Sequence, residues 1–433
     1  MLQTLGFSGD TAITTSLDSR TPIPDIVTNP FTGTVPRPAG ASAGDLTFVG
    51  RGITQYNSDY TIPKVHQFSA GFQFLLAGSS VLDVSYVGNR IRGWGLTRNV
   101  NLPSWDFAKQ CDTREGGNRG LCDTLVANPF QGVEAVRGLR YFNSSQISLF
   151  DLNRPYPQFD GNVNIDGLNR QNFWYDSLQV NFNQRLWHGL VLNTNYVWSK
   201  QMQEGSWMDE IRGTLQRSPY AIMRPHVFKV SASYDVPVGR GRRFGTSINR
   251  FADLLVGGWQ IAPSIFIQSG EPADYPANAQ PLRNPRVDNI NWNQHQVRGW
   301  GACVLNADDR GKVTPLEYSV RRYGCSATDF SQYDWIVYRT LPGQRLTPAT
   351  WGNLYMKPYI DSNLAVMKNF RVTERVNLRF RAQATNLLNH FNYLRGRFNT
   401  NPFDENFGTS FPALTDRLDA PPRNLQFGLR LNW

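Results

Sequence analysis

Charge, cysteine and long apolar runs are all scarce in this chain of 433 residues, and each shortage removes a class of protein. Charged residues make up 18% of the sequence, yet no stretch approaches the ~20 consecutive apolar residues a spanning helix requires. With a mean hydropathy of −0.42, a helical membrane protein is excluded. The five histidines, at 66, 188, 226, 295 and 390, lack metal-ligand spacing, so neither a metal centre nor a cofactor is expected. No Ser/His/Asp triad, paired carboxylates or Cys/His arrangement stands out, so enzymatic chemistry is not expected either. The opening residues MLQTLGFSGDTAITT have no charged start, apolar core or small-residue cleavage site, and so do not read as a secretory signal.

The charge that is present is basic, +10 in total. Its distribution argues against a nucleic-acid partner, because no helix carries a basic stripe and the densest cluster is only Arg240, Arg242 and Arg243. Solvated or membrane-surface cations account for it better. The run Gly239 to Gly245 has neither the spacing nor the Lys-Ser/Thr pair of a phosphate-cradling loop, and reads as a basic turn.

What the chain has in abundance is alternation. Leu425, Phe427, Leu429, Leu431 and Trp433 alternate with Gln426, Gly428, Arg430 and Asn432 to the last residue. On a β-strand this makes one face wholly apolar and the other polar. The same period recurs at 67–76 and 82–86, at 177–187 and 190–199, at 226–236 and 259–269, and at 363–370 and 376–385. Gly6 to Leu17 is a weaker first strand, bringing the count to about ten. An all-β antiparallel transmembrane barrel is expected, because only every second residue of such a strand meets lipid and the hydropathy stays low.

The connections strengthen that reading. Short links at 77–79, 188–189 and 371–375, and a medium one at 237–258, alternate with long ones near 20–66, 88–175, 201–225, 270–362 and 388–422. Outer-membrane barrels have short periplasmic turns and long external loops. Cys111 with Cys122, and Cys303 with Cys325, fall inside long links and are candidate disulfides in an oxidising compartment. Trp187, Tyr234, Trp259 and Trp433 sit at the periplasmic strand ends, and Tyr86 and Trp198 at the outer ends, as two aromatic girdles. Arg185, Lys229, Arg379, Arg381 and Arg430 fall on the polar, lumen-facing side. They could line a mildly cationic passage or simply hydrogen-bond water and a plug domain.

Several segments together resemble a known family. YDSLQVNFNQRLWHGLVLNTNYVWSK, RPHVFKVSASYDVPVGRGRRFG, LLVGGWQIAPSIFIQSGEP, ATNLLNHFNY and RNLQFGLRLNW occur in that order. They are similar to the C-terminal barrel half of Oar-like TonB-dependent transporters of Gram-negative bacteria, common in acidobacteria. TNPFTGTVPRPAG and YTIPKVHQFSAGFQFLLAGSSVLDVSYVGNR resemble the family's mid-barrel segments. The resemblance implies a 22-stranded barrel preceded by a signal peptide, a carboxypeptidase-regulatory-like domain and a plug. Residues 1–433 would be the N-truncated barrel domain, or alternatively a self-contained barrel of about ten strands.

The resemblance also implies energised import, with an unknown ligand bound at the outer loops and TonB acting only through the absent plug. Further partners would be outer-membrane lipid and lipopolysaccharide, and the barrel assembly machinery. That machinery would read the terminal Leu425, Phe427, Leu429, Leu431 and Trp433 as a folding signal. Rival readings are a surface adhesion or polysaccharide-binding protein anchored by its barrel, and a soluble β-rich binding protein.

Overall fold

Long alternating runs give long strands. The computed structural model describes residues 15–16, 18–24, 28, 40–42, 44, 47–134, 140–283, 289–291, 296–298, 303–371, 376–390, 392, 399–410 and 422–433. Nine strands form one antiparallel meander, each pairing with the next. They are β1 (Lys64–Leu76), β2 (Ser80–Asn99), β3 (Val163–Trp187), β4 (Leu190–Asp209), β5 (His226–Asp235), β6 (Trp259–Gln268), β7 (Tyr359–Arg371), β8 (Asn377–Thr385) and β9 (Asn424–Asn432). Ile53–Tyr56 adds in parallel to the start of β3, and Thr214–Pro219 pairs with the far half of β4. Among the described residues no ladder joins β1 to β9, so the sheet is open. The weaker strand expected at Gly6 to Leu17 lies outside the described residues except for Thr15 and Ser16, and the turn at Val372 to Glu374 lies wholly outside them.

Three strands run further than their alternation indicates. Residues 88–99, 163–175 and 201–209, expected in long connections, belong instead to β2, β3 and β4. The register of β2 on β3 shifts between Arg92 and Trp94 and again between Leu96 and Arg98, and Gly93 adopts a φ of 73° there. Each bulge inserts a residue and breaks the period of two. Beyond a lipid layer a strand no longer has lipid on one face and water on the other, and these segments pack instead against the connections, so nothing enforces alternation in them. A strand of 25 residues, as β3 is, spans ~80 Å at about 3.3 Å per residue, far more than a bilayer needs.

The cross-strand register merges the separate apolar faces into one sheet-wide surface. Val84, Val180, Tyr196, Phe228, Ile267 and Ile360 form one row across β2 to β7. Tyr234, Ile261, Val366, Ala382 and Phe427 form another across β5 to β9. This surface is bare: Phe72 and Phe427 are 74% and 72% exposed. The buried cores lie instead in the connections, around Trp335 and Phe407, around Leu102 and Phe150, and around Leu305 and Tyr333. A water-soluble protein has the reverse distribution.

Candidate functional site

The polar face of the wall and the folded connections at one end of it are the two places where chemistry gathers. At mid-wall the polar face carries Asn181 opposite Asn195, and Asn183 opposite Asn193. The amide of Asn195 donates to Oδ1 of Asn181 at 2.5 Å. Asparagine is a poor strand former, and such rows fit a strand whose polar side stays wet. Ser231 and Ser264 continue the surface across β5 and β6. Lys229 places its ammonium 5.2 Å from the centre of the Phe266 ring, and Asp361 accepts from Asn363 at 2.9 Å. Together these groups line a groove of about 520 Å³.

The other cations on the polar face stand apart from Lys229. Arg379 and Arg430 are direct cross-strand partners, with Arg381 two residues along opposite Gly428. Like charges facing each other in this way disfavour pairing unless water or a counter-charge intervenes. Each finds an asparagine: Arg379 donates to Asn369 at 2.9 Å and Arg430 to Asn432 at 3.1 Å. Arg185 lies on β3 at a register shift between Gln184 and Trp187. The five cations therefore form one cluster of three on β8 and β9, with Lys229 and Arg185 elsewhere.

The same shift explains Trp187. Strict alternation would set it on the polar face with Arg185, but the extra residue brings Trp187 opposite Leu190, in line with Tyr234 and Ile261 of the apolar face. Tyr86, Leu178, Trp198 and His226 form a second row nearer the long connections. From Leu190 to Trp198 the rise is ~26 Å along the strand, or roughly 20 Å along the normal at a tilt of about 40°, close to the ~25 Å apolar band of a barrel. Trp259 lies at the short-connection end of β6, where its indole donates to the Leu255 carbonyl at 3.0 Å. Trp433 follows the end of β9 and is 89% exposed.

Sequence reasoning missed Lys368. It lies on the apolar face opposite Trp259, with its ammonium 4.9 Å from the Trp259 ring and 5.1 Å from that of Phe370, and it donates to the Gly257 carbonyl. A lone lysine two residues from Val366 and Phe370 was the available signal. A cavity of about 670 Å³ was missed as well, lined by Tyr86, Trp198, Lys200, Met202, Arg217 and Tyr355. Beside it the Asp176 carboxylate accepts from Tyr86 at 2.5 Å and from Arg90 at 2.7 Å.

The long connections build a cap. Cys111 is joined to Cys122 and Cys303 to Cys325, with Cα separations of 5.7 and 5.9 Å. The first bridge is buried beside Leu102, Phe150 and Leu341, which joins connection 100–162 to connection 269–358. The second closes a four-stranded sheet ordered 279–281, 335–338, 304–307, 313–315. Both connections are tied to the tip of β4. Arg114 binds Asp112 at 2.5 Å and Gln344 at 3.1 Å, and Gln344 in turn donates to Asp209 at 3.0 Å. Burial pushes the Asp112 carboxyl up, but the Arg114 guanidinium and backbone more than offset this and hold it below the ordinary carboxylate range. Arg212 stacks 3.5 Å from the Trp105 ring centre and pairs with Glu115 at 2.6 Å. Arg345, which burial pushes below the usual guanidinium range, donates to the Tyr275 carbonyl at 2.8 Å beside a cavity of about 430 Å³. Among the described residues no group of three or more His, Cys, Asp or Glu is placed to hold a metal.

A strand meander with a continuous bare apolar face, bordered by aromatic rows and polar on the reverse, is the wall of an outer-membrane β-barrel. The chain belongs to the outer membrane beta barrel domain family, whose pattern matches residues 1–426. The protein is accordingly a component of the outer membrane. No curated protein matches it. Among solved structures it is similar to the outer membrane transporter YddB from Escherichia coli, at 9% identity and a TM-score of 0.36 over 89% of this chain and 34% of that one. It is also similar to the ferric-catecholate import receptor Fiu from E. coli K12, at 8% and 0.33 over 94% of this chain and 31% of that one. The FpvAI–pyocin S2 complex gives 7% and 0.34 over 86% and 28%. The chain spans about a third of the length of these proteins.

Proposed function

We propose that the chain is barrel wall and outer cap of an Oar-like TonB-dependent transporter, in which the long connections face outward and bind a ligand that is then imported. The observation that carries this reading is the contrast between the two ends of the wall. One end is closed by links such as His188–Gly189, while the other continues β3 past the lipid band into a cap with its own cores and two disulfides. A mere anchor has no need of strands that extend to hold a packed cap at one end of the wall. Among the described residues the outer edges of β1 and β9 have no strand partner, which supports further strands closing the barrel, because a bilayer leaves no water to satisfy an open edge. The polar rows, Lys229 and the arginine cluster favour a polar or anionic ligand in the passage.

TonB would act through a plug domain outside this sequence, and the barrel assembly machinery would read Leu425 to Trp433. The reading is tested by ligand uptake in cells making the intact transporter, with and without TonB. Uptake that stops without TonB and weakens in Arg379→Gln/Arg381→Gln supports it. TonB-independent surface binding with no uptake would instead favour the adhesion reading.

A further inference from the structure

The basic run Gly239 to Gly245 has no part in the cap or the polar face, and its surroundings assign it one. It lies in the connection between β5 and β6, where Arg250–Val256 forms a short helix capped by the Asn249 side chain, which accepts from Ala252 N at 2.8 Å. Residues three and four apart share a helix face, so Phe251, Leu254 and Leu255 project together. All three are exposed, Phe251 at 82% and Leu255 at 74%, and Val256 and Phe244 are exposed beside them. Asp253, on the opposite side, is turned back into the link, where its carboxylate accepts from Arg240 N at 2.7 Å.

What lies under the helix fixes where it sits. The Leu255 carbonyl accepts from the Trp259 indole, and the Gly257 carbonyl accepts from Lys368. Both donors project from the apolar face of the wall, so the helix is fastened to the lipid-facing perimeter, at the end of the apolar band. Its bare residues continue that band, and Arg240, Arg242, Arg243 and Arg250 lie close to them along the same link. An apolar face beside clustered arginines matches an anionic lipid surface, with rings and aliphatic chains among the acyl groups and guanidiniums at the phosphates.

We propose that residues 237–258 form an interfacial foot, inserted into the leaflet at the short-connection end and held there by anionic phospholipid headgroups. The identity of that leaflet as the periplasmic one rests on the orientation proposed above, but insertion itself does not. The test uses the full chain reconstituted in vesicles of phosphatidylcholine with and without phosphatidylglycerol. The four native cysteines are tied in disulfides, so an environment-sensitive fluorophore can be placed on Leu255→Cys alone.

The expected result is a blue-shifted emission that brominated acyl chains quench, increasingly with phosphatidylglycerol content. The charge variant Arg240→Gln/Arg242→Gln/Arg243→Gln should lose that dependence on phosphatidylglycerol. A label on Leu429→Cys of the wall reports insertion of the barrel in the same vesicles. A Leu255 label that only aqueous iodide quenches, while the Leu429 label is lipid-quenched, overturns the foot. Lipid quenching at Leu255 that ignores phosphatidylglycerol overturns the headgroup selectivity.

Discussion

At the scale of single residues, a sharp constraint lies in the two-residue link between β3 and β4. His188 and Gly189 have φ of 48° and 87°, both in the left-handed region, which is the geometry whose twist matches an antiparallel hairpin. A Cβ on Gly189 would approach the Asp235 carbonyl oxygen to 2.9 Å, so strain and contact act together. Gly189→Val should lower the stability of the reconstituted barrel by about 1–3 kcal/mol, read as the urea midpoint of the heat-modifiable band. His188→Gly, which removes the side chain from the same strained region, should leave that midpoint unchanged or raise it. Asp112 sets a second constraint, in the cap. Its folded-state carboxyl lies below the unfolded value of ~3.9, so its stabilisation is complete above that pH and is lost as the pH falls through the depressed value. Amide exchange across 111–122, corrected for intrinsic rates, should accelerate below about pH 4, and Asp112→Asn should remove the acid step while loosening the segment at neutral pH.

Elements show where the sequence was legible and where it was not. The hairpins of β1–β2 and β3–β4, and the closing strand β9, were readable because lipid on one side and water on the other force each residue to declare its face. The far halves of β2, β3 and β4 were not, since they meet the packed connections rather than lipid on one face and water on the other, and bulges at Arg92 to Arg98 shift the period. Trp187 shows the same limit in reverse: its place in the aromatic row depends on a register shift that no periodicity displays. The polar-face residues were found by alternation, but the separation of Lys229 from the arginines of β8 and β9 follows from strand pairing. The cap elements are short and irregular, and the disulfides join parts that are near in sequence. Replacing Cys303 and Cys325 together by serine should cost the cap about 2–4 kcal/mol. Rapid proteolysis within 303–338, with heat-modifiable migration of the wall intact, is the expected signature. Loss of wall migration as well would mean that cap and wall do not fold as separable units.

As a whole molecule, the protein divides its labour between a wall stabilised by lipid and a cap stabilised by its own buried cores. The wall has no interior to pack, and its apolar rows acquire a solvent only when the membrane supplies one. The cap buries Trp335, Tyr333 and Phe407 almost completely and is held to the tip of β4 by Asp209 and Gln344. The link at 237–258 departs from this division, being a turn with an exposed apolar helix rather than a bare hairpin. The order of the strands carries a kinetic consequence. Because every strand of the meander pairs with its immediate successor, the wall can zip from one hairpin to the next without threading or waiting for a distant partner. Loop-closure entropy grows only logarithmically, so connection 269–358, longer than the link 237–258 by about two doublings, adds only about 1.2 kcal/mol to the closure of its strand pair. A domain-sized insertion at that end is therefore a slight burden on assembly, and the cap is free to vary in length while the order of zipping stays the same.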